Sequence, residues 1–506
     1  LAARFARPLS FGTAGLRGPV RGGPDAMNVA VVSRASWAVG TVLTDRGLAG
    51  STVVVGRDAR HGSDAFATAT AEVLCAQGFS VTTLPNPVPT PVVAFAVRHT
   101  GAAAGVQITA SHNPATDNGY KVYCDGGLQI ISPTDRDIEA AMATAPPADQ
   151  IPRQPVTATG TELVDLYVQR AATVRRASGS VRIALTAMHG VGGELALRAM
   201  HLAGLDDVHT VATQFSPDPD FPTVAFPNPE EPGATDALLA LAARVGADIA
   251  IALDPDADRC AVGIPTIAGW RMLSGDETGW LLGDYILSTL PPHDAAASVV
   301  ASSVVSSQLL AAIAADHGAR HVQTLTGFKW LARADEGVPG AHLVYAYEEA
   351  IGHCVDPAAV RDKDGISAAV LACDLVAALG KQQDSVPDIL DQLALRHGVY
   401  TTAALSRRVE DPQQAIALMA RLRAQPPTEL AGFPVTTTDL LERTDALILA
   451  GGDERTSVRV VVRPSGTEPK VKCYTEVRRA VTGELTAARR AAADIQEKLL
   501  EAARGW

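Results

Sequence analysis

The stretch TVVVGRDARHGSDAFATATAEVLCAQGFSVTTL, residues 52–84, carries the pattern that decides the fold. Thr52–Val55 is a β-branched run, Asp64–Gln77 a helical run closed by Gly78, and Phe79–Leu84 a second apolar run. Glycine just past a helix end supplies the left-handed cap. The same order recurs at Val181–Leu185, Gly193–Ala203, Gly204 and Val208–Val211. It recurs again at Ser298–Ser303, Ser306–His317, Gly318 and His321–Leu325. Strand–helix–strand alternation implies right-handed crossovers and a largely parallel sheet. The pattern breaks from about residue 398, where Arg459–Val462 leads through RPSGTEPK into Val471–Thr475. The expected fold class is α/β: three related α/β domains with mixed, largely parallel sheets, plus a smaller C-terminal α+β domain, around one cleft. The expected boundaries are 1–178, 179–290, 291–397 and 398–506.

Each repeat continues into a further strand that runs straight into a polar motif. These motifs are TASHNP (109–114), DPDADR (254–259) and YEEAIGH (347–353). Ligands of α/β sheets bind beyond the carboxyl ends of strands, so three equivalent ends facing one cleft is the economical arrangement. Asp254, Asp256 and Asp258 stand at every other residue, and an extended segment would point all three carboxylates to one side. Such a trio needs a cation, and oxygen ligands favour Mg²⁺. An EF-hand would want Gly at Arg259 and Glu at Pro265. A haloacid-dehalogenase phosphatase, with Asp254 as nucleophile, would want Thr or Val at Asp258 and leaves TASHNP without a role. Ser111 lies in no GxSxG elbow and has no evident triad partners. Alone it reads as a turn or cap; beside a metal loop it reads as a serine able to carry a phosphoryl group.

Four further segments carry candidate binding groups. FGTAGLRG (11–18) exposes backbone N–H groups beside Arg17, which suits a phosphate, although plain turns look alike. In RPSGTEPK, Arg463, Ser465, Gly466 and Thr467 combine guanidinium, hydroxyl and backbone donors, with Lys470 and Lys472 following on one strand face. Glu348 and Glu349 are either surface charges or acceptors for sugar hydroxyls. Asn118-Gly-Tyr-Lys121 brings an amine towards the serine loop, for acid–base work or for phosphate contact.

The length of 506 residues suggests three or four domains. The net charge of −12 without basic runs argues against nucleic acid and anionic membranes, so cations for an anionic substrate must be gathered locally. The apolar stretches Ser298–Ala315 and Ser367–Leu379 are interrupted by Ser, Gln or Asp, which argues against a membrane span. The six cysteines show no CxxC spacing and read as free thiols of a reducing, cytoplasmic compartment. The opening LAARFARPLS reads as an ordinary N-terminus.

With these motifs in order, the chain resembles the α-D-phosphohexomutases, the phosphoglucomutase/phosphomannomutase superfamily. The likeness runs through FGTAGLRG, VGRDARHGS (55–63), TASHNP with NGYK, DPDADR, TGFKW (326–330), YEEAIGH and RPSGTEPK. It implies four domains round a cleft and catalysis by Ser111, His112, Lys121, Arg17 and Arg259, with Ser111 phosphorylated. It implies one Mg²⁺ held by Asp254, Asp256 and Asp258 with Ser111. Sugar contacts would fall to Thr326, Gly327, Lys329, Glu348, Glu349, His353 and Lys363. The distal phosphate would fall to Arg463, Ser465, Gly466, Thr467, Lys470 and Lys472. The implied reaction moves phosphate between O1 and O6 of a hexose through a hexose 1,6-bisphosphate, which also serves as activator. A phosphopentomutase acting on ribose or deoxyribose 1-phosphate is the alternative, and a silent phosphosugar-binding regulator a remote one. The implied partner is a small phosphosugar, on a monomer or dimer. Two departures bear on the sugar. Bacterial relatives tend to carry Ser where this chain has Ala350, and His where it has Phe328. YEEAIG and TGFKW look more like a broader phosphoglucomutase/phosphopentomutase subgroup.

Overall fold

Three successive segments form sheets on one plan. The computed structural model describes residues 5, 7–12, 15–409, 412–464 and 470–506. The first sheet contains β1 (Leu16–Pro19), β2 (Thr52–Arg57), β3 (Ser80–Thr83), β4 (Ala104–Ile108), β5 (Asp117–Cys124) and β6 (Leu128–Gln129). Here β3, β2 and β4 run parallel and β5 returns antiparallel beside β4. The second contains β7 (Ile183–Thr186), β8 (Val208–Thr210), β9 (Ile249–Leu253), β10 (Cys260–Thr266) and β11 (Gly269–Met272). Again β8, β7 and β9 are parallel and β10 is antiparallel. The third, of β12 (Ser298–Ser303), β13 (Arg320–Thr324), β14 (His342–Glu348) and β15 (Gly352–Cys354), repeats the scheme. Parallel pairing is thus confined to three strands per sheet, and the antiparallel returns make each sheet mixed. Every residue of β4 and β9 is buried, as expected where helices cover both faces of a parallel strand.

The third parallel strand of each sheet reaches its antiparallel neighbour through a short connection. These connections, 109–116, 254–259 and 349–351, hold the three polar motifs. Each passes through one non-glycine residue in the left-handed region: Ser111 (φ 53), Ala257 (φ 50) and Ile351 (φ 53). The expected extended segment at 254–258 is therefore a turn. Its carboxylates converge because the chain folds back, not because alternate residues share a strand face.

The helix expected at Ser306–His317 starts later, at Leu309. Its lead-in is spent on side chains: the Ser307 N–H donates to Asp276 Oδ1 (2.8 Å) and the Gln308 N–H to Glu476 Oε2 (2.8 Å). The helix Gly365–Gln382 is capped by Asp364, whose carboxylate accepts from the N–H groups of Ile366 and Ser367. It is long and apolar enough to cross a bilayer, yet 72% of it is buried inside the protein. One apolar core runs through all three repeats, from Val54 and Val93 through Ile183 and Leu253 to Val300, Tyr345 and Ile366.

The last sheet is wholly antiparallel: β16 (Val399–Arg408), β17 (Glu429–Leu430), β18 (Phe433–Asp439), β19 (Leu447–Gly452), β20 (Thr456–Pro464) and β21 (Lys470–Arg479). Helix Leu485–Arg504 packs on β16 and β21, burying Ala492, Leu499 and Ala503, which gives the expected α+β unit. A small seam of Val461 against Val304 and Val305 joins it to the third sheet. Cys260, Cys354, Cys373 and Cys473 are buried free thiols; Cys75 and Cys124 are free and half-buried.

Candidate active site

Ser111 stands in the first connection, 2% exposed. Its N–H donates to Thr109 Oγ1 (2.9 Å), which helps hold the turn. Its hydroxyl donates to Asp254 Oδ2 across the seam between the first two sheets, at 2.9 Å, and lies 3.1 Å from His112 Nδ1. Burial, with Arg259 and Arg17 close by, pushes the His112 imidazole well below its usual range and keeps it neutral. Arg17 Nη1 donates to Asn113 Oδ1 at 3.3 Å.

Asp254, Asp256 and Asp258 are all buried, each offering a carboxylate oxygen within 4.8 Å of the others. Lys121 Nζ donates to Asp256 Oδ2 (2.7 Å) and Asp258 Oδ2 (2.9 Å), and Lys363 Nζ approaches Asp258 Oδ2 at 3.4 Å. Burial, then the charges of Asp256 and Asp258, drives Asp254 well above the carboxylate range. Burial also pushes Asp256 upward, but Lys121 overcomes it and holds Asp256 below that range. Two oxygens, Asp256 Oδ1 and Asp258 Oδ1, are buried with no hydrogen-bond partner among the described residues. Three converging carboxylates with two orphaned oxygens fit a hard divalent cation.

The turn is gripped by other parts of the chain. The Thr90 N–H donates to Asp256 O at 2.9 Å and its hydroxyl to the Asp256 carboxylate. The Val191 N–H donates to Pro255 O (2.8 Å), the Gly365 N–H to Ala257 O (3.1 Å) and the Cys260 N–H to Ile351 O (3.0 Å). Arg259 pairs with Gly352 in an isolated bridge, while its guanidinium reaches Glu230 at 3.3 Å. Sequence reasoning attached no role to Thr90 or Glu230, because nothing local marks a side chain that works across a seam.

A cavity of about 180 Å³ opens beside this cluster, lined by Gly15, Arg17, Lys121, Gln129, Thr326, Gly327, Phe328, Lys329, Glu348 and Lys363. Four cations and one carboxylate face it, the local concentration that an acidic chain needs for an anionic ligand. Lys363 Nζ lies 3.8 Å from Glu348 Oε1 and 5.8 Å over the Phe328 ring. Gln129, another residue the sequence did not single out, donates to Asp362 Oδ2 (2.8 Å) and so ties the first sheet to the loop bearing Lys363.

Two expected sugar contacts are corrected. His353 is fully buried against the rings of Tyr345 and Tyr347, with its Nδ1 3.0 Å from the Tyr345 hydroxyl. Burial takes its imidazole down to about 3, so it is a neutral core residue. Glu349 turns away from the cavity: its Oε2 accepts from Ser303 and Ser306, both at 3.1 Å, and burial beside Glu348 raises it to about 7. Of the C-terminal candidates, Arg463 and Lys472 face each other across β20 and β21, half-buried, and Lys470 opens β21. Ser465, Gly466 and Thr467 lie outside the described residues.

The whole chain has relatives. Residues 8–148, 164–266 and 274–395 match the α/β/α domains I, II and III of phosphoglucomutase/phosphomannomutase, and residues 450–493 match the C-terminal domain. A probable phosphomannomutase of Haemophilus influenzae is 40% identical over 466 residues, 89% of this chain and 93% of that one. A phosphopentomutase of Mus musculus is 35% identical, covering 94% of this chain and 84% of its own. The crystal structure of a putative phosphomannomutase from Thermus thermophilus superposes with a TM-score of 0.75 at 26% identity, covering 98% of this chain and 99% of that one. The chain belongs to the phosphoglucomutase/phosphomannomutase family. It is an enzyme of that kind: an isomerase working as an intramolecular phosphotransferase on small phosphosugars.

Proposed function

We propose that this enzyme interconverts the 1-phosphate and 6-phosphate of a hexose, glucose ahead of mannose, through phosphorylated Ser111. The observation that carries the reading is Ser111 Oγ, 2.9 Å from Asp254 Oδ2, beside a cavity lined by four cations and Glu348. Phosphoserine 111 gives its phosphoryl group to the free hydroxyl of the bound monophosphate. The resulting bisphosphate turns over in the cleft and returns its other phosphate to Ser111. Mg²⁺, held by Asp254, Asp256, Asp258 and the serine oxygen, would draw charge from the moving phosphoryl group. Lys121, ion-paired to two carboxylates through Nζ, acts as a donor to phosphate rather than as a base. Arg17 supports the same group. Lys363 and Glu348 hold the sugar hydroxyls, and Arg463 with Lys472 holds the distal phosphate from the C-terminal unit, which serves as a lid from residue 398 onward.

A pentose reading is favoured by the 35% identity to the mouse phosphopentomutase and by Phe328, which presents a ring to the cavity where a polar group would read a hydroxyl. A turning intermediate cannot be gripped at every hydroxyl, and one lost polar contact is worth about 1–3 kcal/mol. Discrimination among sugars should therefore be modest. Side-by-side kcat/KM values on glucose, mannose, ribose and deoxyribose 1-phosphates test this, with Ser111→Ala as the control that abolishes all four. A preference above about a thousandfold, on the order of 4 kcal/mol, would overturn modest discrimination. A fully active Ser111→Ala enzyme would overturn the phosphoserine.

A further inference from the structure

Arg60 lies 4% exposed beneath the serine connection and is not among the residues lining the cavity. Its guanidinium donates to four main-chain carbonyls, three in that connection and the fourth at the first residue of β5. Nη2 reaches Ser111 O and Asn113 O, both at 2.6 Å; Nη1 reaches Pro114 O at 2.7 Å and Asp117 O at 3.1 Å. Asp58 holds the arginine in turn: its Oδ1 accepts from the Arg60 N–H (2.9 Å) and its Oδ2 lies 3.4 Å from Nε. From the second sheet's side, the ring of Phe221 covers the guanidinium at 4.9 Å, and Phe221 itself is fixed in the left-handed region at φ 46. His61, the next residue, reaches Asp220 at 2.7 Å across the same seam.

We infer that Arg60 is the positioning residue that sets the Ser111 backbone for phosphoryl transfer, with Phe221 as its cover from the neighbouring unit. This rests on the phosphoserine reading above. A serine at φ 53 is a conformation that L-residues resist, and something must hold it. A planar fork of five N–H donors can satisfy four carbonyls spread round a loop; a lysine ammonium has three donors on a point and cannot. Acceptors of this kind are peptide oxygens, present whatever the side chains, so the loop sequence gives no hint of the arginine that binds it. In the step itself the Oγ–P bond forms as the P–O bond of the sugar phosphate ester breaks. The Ser111 hydroxyl proton ends on the departing sugar oxygen. A hydroxyl displaced by an ångström loses that alignment while the phosphosugar still binds.

The test uses the full chain with Mg²⁺ and glucose or ribose bisphosphate, following phosphate on the 109–114 peptide by mass spectrometry over time. Glucose 1-phosphate affinity is measured alongside by calorimetry. Arg60→Lys should slow phosphorylation of Ser111 at least a hundredfold while changing affinity less than threefold. Phe221→Ala, which leaves the buried charge pair intact, should slow it about tenfold with the same unchanged affinity. Transfer at the parent rate in both variants overturns the role of Arg60, as does a parallel loss of affinity and transfer. A parent chain that takes no phosphate on this peptide from either bisphosphate overturns the phosphoserine reading instead.

Discussion

Lys121 is buried yet charged: burial works against its ammonium, and Asp256 and Asp258 more than compensate. Removing one partner of a buried ion pair leaves the others uncompensated, at a cost of about 3–5 kcal/mol. Lys121→Met should therefore destabilise the metal-free protein by that amount. A cation bound between the orphaned carboxylates would offset part of it, about 2.7 kcal/mol at a hundred times its Kd. The rise in thermal midpoint on adding Mg²⁺ should be larger in Lys121→Met than in the parent; an equal rise would show that lysine and cation do not share these carboxylates. At this scale the sequence was legible where function needs a rare residue type in a cluster, as with the aspartates and Ser111. It misled where a motif residue has a packing role. His353 directly follows Gly352, the first residue of β15, and looks like a sugar contact, but the alternation of β15 turns it against the tyrosine rings.

At the scale of elements, all three connections were foreseen at strand ends, but the aspartate segment was foreseen as extended rather than as a turn. Periodicity locates a strand and its apolar faces, whereas the left-handed residue in each turn is an ordinary Ser, Ala or Ile that no composition rule flags. What holds these turns is close approach from distant elements. Gly365 opens the helix Gly365–Gln382, and a Cβ there would stand 2.3 Å from Arg259 O and 2.8 Å from Ala257 O. Helix propensity favours alanine over glycine by about 1 kcal/mol. Overpacking against backbone atoms costs about 1–3 kcal/mol and cannot be relieved by a rotamer change. Contact should win: Gly365→Ala should shift the aspartate turn and weaken Mg²⁺ binding about tenfold by calorimetry, with the helix intact by circular dichroism. Unchanged Mg²⁺ affinity would show that the turn does not depend on this approach.

At the scale of the molecule, the C-terminal sheet meets the third unit through a buried polar patch. Glu476 on β21 accepts the Gln308 N–H at 2.8 Å, Arg459 on β20 donates to Val304 O, and Asp276 accepts from Ser307 and from the Tyr347 hydroxyl (2.9 Å). Burial raises Asp276 and takes Glu476 to about 7, while Arg459 pulls both back only in part. Glu349, also raised to about 7, lies on the Ser303–Ser306 turn beside them. A carboxyl whose folded value exceeds its unfolded one contributes stability below the unfolded value and loses it as pH climbs through the folded one. For Glu476 that window runs from 4.5, its ordinary value, to about 7. The shift corresponds to something on the order of 3 kcal/mol. Docking of the C-terminal unit should thus be firmest in mild acid and loosen towards pH 8, with Gly398 (φ 95), just before β16, as the proposed pivot. Glu476→Gln keeps an acceptor for the Gln308 N–H and removes the titration. Arg463 and Lys472 ride on the same two strands, so looser docking should reach the phosphate grip. KM for the phosphosugar should rise between pH 5.5 and 8 in the parent, with a growing radius by small-angle scattering, and both changes should be flattened in Glu476→Gln. Identical pH profiles in parent and variant would show that the C-terminal unit is held by the apolar seam of Val461 against Val304 and Val305, and not by this carboxylate.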